Sequence, residues 1–310
     1  MARILVTGGA GFIGSHLCER LLAGPNEVIS VDDYTIGTRA NLEHLEGRPN
    51  FFPKRHDVTK PLSLAGDVDE IYHMASPASP DHFEAKPVET ALPNSVGTWL
   101  LLEMARAKGS RLLFASTSEV YGDPLQHPQN EEYRGNVSTT GPRAPYDESK
   151  RFGEALCLAY MRQHGVEVSI ARIFNTYGPR MANDGRVVPA LVVQALRGEP
   201  LTVHGDGRQT RSFCYVSDLV DGLVALMNAG EPGPVNLGSP VETTVLAVAE
   251  KVKAVTGSSS EVSFAPGRPD DPARRQPDIR RAAELLGWKP KVSLDEGLRL
   301  TVDYFRHRAR

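Results

Sequence analysis

Cysteine is scarce in this chain: three among 310 residues, Cys18, Cys157 and Cys214, far apart and without a CxxC pair. That scarcity argues against a disulfide scaffold or a structural zinc site and suits a reducing cytoplasm. A surplus of one charge is missing too. Lys and Arg number 35 against 38 Asp and Glu, a formal net charge of -3, so the basic excess of a general nucleic-acid binder is absent. No uninterrupted apolar run approaches the ~20 residues that cross a bilayer. The opening Met-Ala-Arg runs through Ile4-Leu5-Val6 into Gly8 too quickly for a secretory leader. His73, His82 and His127 have no metal-ligand spacing. The expectation is a cytoplasmic globular protein with no metal, no nucleic acid and no membrane among its partners. Glycine is plentiful, at 28 residues, and the hydrophobic fraction of 40% is enough for proper cores.

Short apolar runs at 3–6, 27–31, 51–52, 70–73, 111–115 and 167–170 alternate with helical patterns at 12–22, 88–107 and 147–164. This alternation predicts right-handed βαβ units and an α/β fold with a doubly wound, Rossmann-type parallel sheet. Beyond about Arg172 it becomes irregular, punctuated by Gly178-Pro179, Gly198, Pro200, Gly205 and Gly207. Two domains are expected. Residues 1–172 would form the dinucleotide-binding one, with the chain returning to it around 212–237. Residues 173–310 would mainly form a smaller α/β substrate-binding domain over the carboxyl edge of the sheet. The polar stretch 122–145 is longer than compact domains carry without a functional reason.

The segment Thr7-Gly8-Gly9-Ala10-Gly11-Phe12-Ile13-Gly14 joins the first predicted strand to the first helix. Gly8 permits a tight turn, Gly11 lets backbone approach a pyrophosphate, and Gly14 lets helix pack on strand. The N–H groups at the start of the helix, around Phe12 and Ile13, then receive the anion. Alone, such spacing is equally a packing turn. Asp32, at the end of the second predicted strand with Asp33 beside it, makes a dinucleotide site the stronger reading. A carboxylate there accepts both ribose hydroxyls and repels a 2′-phosphate, which predicts NAD as cofactor rather than NADP. Asp57-Val58 follow the third strand, either bordering the adenine or forming a solvated turn.

Tyr146 and Lys150 are spaced i, i+4 at the start of a helix, so both project from one face. A lysine ammonium beside a phenol lowers its pKa and makes Tyr146 a usable base. Earlier, Thr117-Ser118-Glu119 ends a buried strand with two hydroxyls and a carboxylate, where active sites sit in open α/β sheets. In this order the glycine loop, Asp32, the strand-end hydroxyls and the Tyr-Lys pair resemble the extended short-chain dehydrogenase/reductase family. The stretches Tyr72 to Pro80, Ala115 to Pro124, Ala171 to Met181, Asn183 to Val188, Gly198 to Val203, Tyr215 to Val220, Val235 to Gly238 and Gln276 to Ile279 narrow it to the UDP-glucuronate decarboxylase (UDP-xylose synthase) group.

The resemblance runs from Ile4 to about Phe305. It implies NAD-dependent oxidation of the sugar at C4, loss of CO2 from the C5 carboxylate, and re-reduction to UDP-xylose, with UDP-4-keto-xylose a possible second product. It further implies Thr117, Ser118, Glu119, Tyr146, Lys150 and Arg275 as the catalytic set, Ala75 and Asn94 beside the cofactor, and Asn175 on the diphosphate. Arg186, with Val187 beside it, and Arg211 are candidate clamps for carboxylate or diphosphate, since guanidinium binds such groups in bidentate fashion. His204 stands where the family has a tyrosine packing on uracil, which leaves uridine versus thymidine open. Gln209 and Tyr215 line the same pocket or support it from the core, and Arg268 is a weaker candidate than Arg275. Pro93 replaces a threonine of the family and removes a backbone donor from its helix. The alternatives are a UDP-glucuronate 4-epimerase and a non-catalytic NAD-binding scaffold. Helices over 88–107 and 147–164 either pack within the chain or form the four-helix interface of a homodimer.

Overall fold

The computed structural model describes residues 1–267 and 274–308. Six strands come first in the chain: β1 (Arg3–Thr7), β2 (Glu27–Asp32), β3 (Phe51–Arg55), β4 (Glu70–His73), β5 (Arg111–Thr117) and β6 (Val168–Ile173). Four short ones follow: β7 (Thr176–Tyr177), β8 (Leu201–His204), β9 (Thr210–Ser212) and β10 (Cys214–Tyr215). Then come β11 (Pro234–Leu237), β12 (Glu242–Thr244) and β13 (Val262–Ala265). The helices are α1 (Phe12–Leu22), α2 (Pro80–Ala85), α3 (Pro87–Leu92), α4 (Thr98–Lys108), α5 (Ala144–His164), α6 (Val187–Arg197), α7 (Val216–Ala229), α8 (Val245–Thr256), α9 (Arg280–Leu286) and α10 (Leu294–Arg308).

Seven strands form one sheet in the order β11-β6-β5-β4-β1-β2-β3, parallel throughout. The strand order reverses between β1 and β4, the switch point at which doubly wound Rossmann sheets open a crevice. Both faces are covered over the inner strands, which are mostly buried, whereas the edge strand β3 is exposed beyond Phe51. Ile4 and Val6 of β1 point into the core shared with α1 and α7, whereas Leu5 points into the one shared with α4 and α5. The period-two alternation of a strand thus serves two cores at once. Strand β11 lies in this sheet beside β6 although it follows β10 in sequence. The remaining strands make three small pairs, β10 with β7, β12 with β9 and β13 with β8. With α6, α8 and α10 they stand beside the carboxyl edge of the large sheet.

The helix expected over 88–107 is divided. Between α3 and α4 the backbone makes a π-turn over Pro93–Gly97. A proline lacks the N–H that a regular helix would use, and the wider turn absorbs that loss. The Pro93 carbonyl accepts a hydrogen bond from His73 Nε2 at 3.2 Å. That bond fixes the His73 tautomer, so Nδ1 accepts from the Thr7 hydroxyl at 2.9 Å.

Beneath the carboxyl edge lies a buried ionic network. Arg172 of β6 makes a bidentate pair with Glu154 of α5, at 2.9 and 2.7 Å. Its guanidinium also donates to the Tyr121 hydroxyl and to the Glu131 carbonyl, both at 3.0 Å. Tyr121 in turn donates to Asn236 of β11 at 2.8 Å. Removing one partner of such a pair leaves an uncompensated buried charge, which costs ~3–5 kcal/mol. Arg172→Met is therefore expected to lower the urea unfolding free energy by ~3 kcal/mol or more. Adding Glu154→Met to the same chain should recover most of that loss.

Candidate active site

A cleft of about 820 Å³ runs along the carboxyl edge, bordered by the ends of β1, β2, β4, β5 and β6 and by the start of α6. At one end the β1–α1 turn is tight. Gly8 has φ +69°, and a Cβ there would stand 2.7 Å from the Ala75 nitrogen. A Cβ on Gly14 would stand 2.1 Å from the Gly8 carbonyl oxygen, so helix and turn are in direct backbone contact. Gly11 is the N-cap of α1 and no side chain caps that helix. Its first-turn N–H groups and positive dipole end are thus offered to the cleft. Asp32 is 8% exposed, and each of its carboxylate oxygens accepts one backbone N–H, from Ala10 at 3.0 Å and Tyr34 at 2.8 Å. Burial raises its pKa, and these bonds together with one from Gly11 oppose the shift. Each oxygen keeps lone-pair capacity for a ribose hydroxyl. The cradle without side chains, the open helix terminus and the fixed carboxylate fit NAD. Phe12, Ile13, Asp33, Val58 and Ala75 also border this end. So does Asp57, whose carboxylate is engaged locally, accepting from the Thr59 N–H at 2.9 Å and the Thr59 hydroxyl at 2.7 Å.

The other end is built around Glu119. Thr117 closes β5 and caps the single turn Ser118–Tyr121, its hydroxyl accepting the Glu119 N–H at 3.2 Å. This turn holds the Glu119 carboxylate between two guanidinium groups, Arg275 on one oxygen and Arg143 on the other. Burial opposes the charge, yet Arg275 and Arg143, with Arg211 beyond them, hold the carboxyl at about 2. Arg275 is only 3% exposed and its Nε has no hydrogen-bond partner. Tyr146 lies in the first turn of α5, stacked on Phe83 of α2 at a centroid distance of 5.4 Å and an interplanar angle of 16°. Arg143 lies over the other ring of that stack, 5.6 Å from the Phe83 centroid.

One electrostatic expectation is overturned. Lysine was expected to lower the Tyr146 pKa, but burial raises it, and the charge of Glu119 raises it further, against a hydrogen bond from Thr117. Lys150 cannot counter this, because burial lowers its own pKa to about 7. Its ammonium donates to the Ala115 carbonyl at 2.6 Å and stands 5.9 Å from the Tyr146 ring centroid. Burial outweighs the neighbouring cation, and the chain by itself keeps Tyr146 a neutral phenol.

On the substrate side Asn175, Arg186, Val187, His204, Gln209 and Arg211 all border the cleft. Asn175 keeps a buried Oδ1 with no hydrogen-bond partner. Arg186 is held by Asp184 through two bonds of 2.8 Å and lies 5.9 Å from the Phe12 centroid. His204 engages the Pro266 carbonyl through Nδ1 at 3.1 Å, and Gln209 donates its amide to the His204 carbonyl at 2.6 Å. Two residues named from sequence do not border the cleft. Asn94 is fully buried behind Pro93, donating to the Thr90 carbonyl at 3.0 Å and the Ser149 hydroxyl at 3.1 Å. Tyr215 packs edge-on against Tyr177 in the core, at 5.7 Å and 70°. Arg268 lies outside the described residues. Arg143 and Phe83 were missed. Arg143 left a faint trace, one helical turn before Asp147; the Phe83 stack is purely tertiary.

The sequence model of the NAD dependent epimerase/dehydratase family matches residues 4–238. The chain belongs to that family. It is 56% identical over 305 residues to UDP-glucuronic acid decarboxylase 1 of Xenopus tropicalis, covering 98% of this chain and 72% of that one. With UDP-glucuronic acid decarboxylase 3 of Arabidopsis thaliana it shares 54% over 308 residues, 99% of this chain and 90% of the relative. Among solved structures, the UDP-glucuronic acid 4-epimerase of Bacillus cereus with UDP-glucuronic acid and NAD is similar at 30% identity and a TM-score of 0.89, over 99% of both chains. In an epimerase/dehydratase frame with Asp32 at the ribose end, calorimetry should find NADP bound at least ~10-fold more weakly than NAD, because a 2′-phosphate meets a buried carboxylate. Asp32→Ser should narrow that gap.

Proposed function

We propose that this chain catalyses the NAD-dependent decarboxylation of UDP-glucuronate, giving UDP-xylose and, where re-reduction lags, UDP-4-keto-xylose. The observation that carries the reading is the buried cluster of Arg143, Glu119 and Arg275, on the same cleft as Thr117, Tyr146 and Lys150. The 54–56% identity to UDP-glucuronic acid decarboxylases supports it over the 4-epimerase, whose likeness is 30%. NAD supplies the hydride acceptor at sugar C4 and the returning hydride, and its oxidised form adds positive charge to the cleft. Tyr146, in the phenolate form that this added positive charge would favour, takes the proton of the C4 hydroxyl, and the Thr117 hydroxyl donates to its oxygen. Arg275 gives the substrate carboxylate a positive wall. Ser118 faces it with a neutral hydroxyl, where a second anion would repel it. Once C4 is a ketone the carboxylate is that of a β-keto acid and leaves as CO2, with Arg275 balancing the enolate charge. Asn175, Arg186 and Arg211 take the diphosphate, and His204 takes the base.

We also infer the division into residues 1–172, with 212–237 returning, and a mainly nucleotide-sugar-binding 173–310. The membership of β11 in the large sheet supports it. The three free, buried cysteines support a cytoplasmic setting, and no helix among the described residues is long and apolar enough to cross a membrane. A homodimer is supported by one apolar face. Val88 and Leu92 of α3, Trp99 of α4 and Phe152 of α5 are 64%, 39%, 48% and 51% exposed on adjoining helices. Large exposed side chains grouped in this way mark interaction surfaces.

Incubation with UDP-glucuronate and NAD should release CO2 and yield UDP-xylose by NMR. Glu119→Gln should slow that release ~10²-fold or more while NAD affinity changes less than about twofold. UDP-galacturonate formed without CO2 would replace this reading with the 4-epimerase, and no turnover at all would leave the scaffold. In sedimentation velocity the chain should run as a dimer at micromolar concentration, and Phe152→Glu with Trp99→Glu should shift it to monomer.

A further inference from the structure

The decarboxylation takes up a proton. The bond from C5 to the carboxyl carbon breaks, its electron pair enters the enolate across C4 and C5, and a C5–H bond then forms. Each CO2 lost from a carboxylate thus consumes one proton from solvent. The residues beside the substrate carboxylate are poor sources, and Lys150, which also borders the cleft, is turned away to donate to the Ala115 carbonyl. Glu119 is held ionised by two arginines. A guanidinium does not release its proton near neutral pH. The proton that Tyr146 takes from the C4 hydroxyl returns to that oxygen on re-reduction.

Behind Glu119 lies another carboxyl group. Arg143, Asp147 and Arg151 are spaced one turn apart along the start of α5, on the face that meets the Ser118–Tyr121 turn. Arg143 bonds to Glu119, and Arg151 donates to the Val120 carbonyl at 2.9 Å. Asp147 sits between them, 5% exposed, and its Oδ1 has no hydrogen-bond partner. An ionised carboxylate with an unbonded buried oxygen is costly, and protonation removes the cost. The charged and titratable groups around it are Glu119 on the turn, Arg275 on the late segment, and Arg143, Tyr146, Glu148 and Arg151 on its own helix. Arg143 and Arg275, both bonded to Glu119, favour an ionised Asp147, and burial with the Glu119 charge outweighs them.

We propose that Asp147 is the proton reserve of this site: its carboxyl group holds one proton behind Glu119 and is the source of the proton that C5 of the enolate takes up. It is a positioning and supply residue, since it does not border the cleft. Burial, and next the Glu119 charge, raise its pKa to about 7, so solvent can reload it between turnovers. The proposal rests on the decarboxylase reading for its chemistry but not for its proton.

The test uses the whole chain and has two arms. Infrared difference spectra between the wild type and Asp147→Asn, with no substrate present, should show the carbonyl stretch of a protonated carboxylic acid at pH 6. That band should fade as pH rises through about 7. In the assay, Asp147→Asn should lower kcat ~10²-fold with KM and NAD affinity within about twofold, and Asp147→Glu should restore much of kcat. The supply role is overturned if the band is missing at pH 6, or if kcat of Asp147→Asn stays within twofold of the wild type. Should Asp147→Asn not fold, Asp147→Ser serves in both arms under the same criteria. A wild type that releases no CO2 overturns the decarboxylase reading, and the proton supply with it, while the band still reports whether Asp147 holds a proton.

Discussion

Glu119 is an anion shared by two cations that reach it from distant parts of the chain. Arg143 comes from the residue before α5, and Arg275 from a segment more than 150 residues after Glu119 in the sequence. A buried carboxylate in a low-dielectric site is tolerable only with such partners. In satisfying itself it ties the end of β5, the start of the longest helix and the late loop into one body. Tyr146 is three residues from Arg143, so the contact that neutralises Glu119 also aims the phenol at the cleft. The geometry of the candidate catalytic groups is therefore a by-product of a charge-balance requirement.

That arrangement needs a support, and the polar loop after β5 provides it. Gln129 is fully buried. Its N–H donates to the Gln276 carbonyl, and its side-chain oxygen accepts the Gln276 N–H, both at 2.9 Å. Asn236 of β11 joins the same point, donating to the carbonyls of Gln129 and Asp278 at 3.0 and 3.1 Å. On the other side of Arg275, Arg274 is held by Glu242 at 3.0 and 2.8 Å. A guanidinium whose backbone is fixed on both sides loses little further freedom on meeting its carboxylate. The length of the loop, which composition alone left without a purpose, follows from its having to reach β11 and the late segment.

Much of the first half of the fold was legible because its inner strands and its first helix obey a local period. Helix α1 spans the predicted residues, and the ends of the strands carry the candidate chemistry where parallel sheets expose it. The divided helix around Pro93 was not legible in detail. Proline announces a lost donor, but the π-turn that absorbs it depends on His73 waiting across the core. Nor was the direction of the neighbouring Asn94 amide legible; it donates to Thr90 and Ser149 behind the cleft. The pKa of Tyr146 failed on magnitude. Spacing placed a cation nearby, but burial of both groups dominates, and burial is a property of the finished packing.

The same cluster bears on which reaction the cleft favours. An epimerase that presents both faces of a keto-sugar to one hydride donor must let the ring turn over, so its sugar contacts must be weak or symmetric. Here the walls around Tyr146 are rigid and asymmetric. Arg143 is pinned over Phe83, Phe83 is stacked on Tyr146, and Arg275 is buried and fixed at its backbone. In the proposed reaction, a charged substituent facing such a wall would lose its attraction to the guanidinium groups on swinging away. Loss of CO2 asks for the opposite of rotation: the breaking bond must stay aligned with the carbonyl orbitals while charge moves into the ring. A fixed positive surface serves that alignment and steadies the charge it produces. In the proposed reaction, removing the carboxylate as CO2 also removes the charged group that faces this wall, which weakens the attraction between product and site.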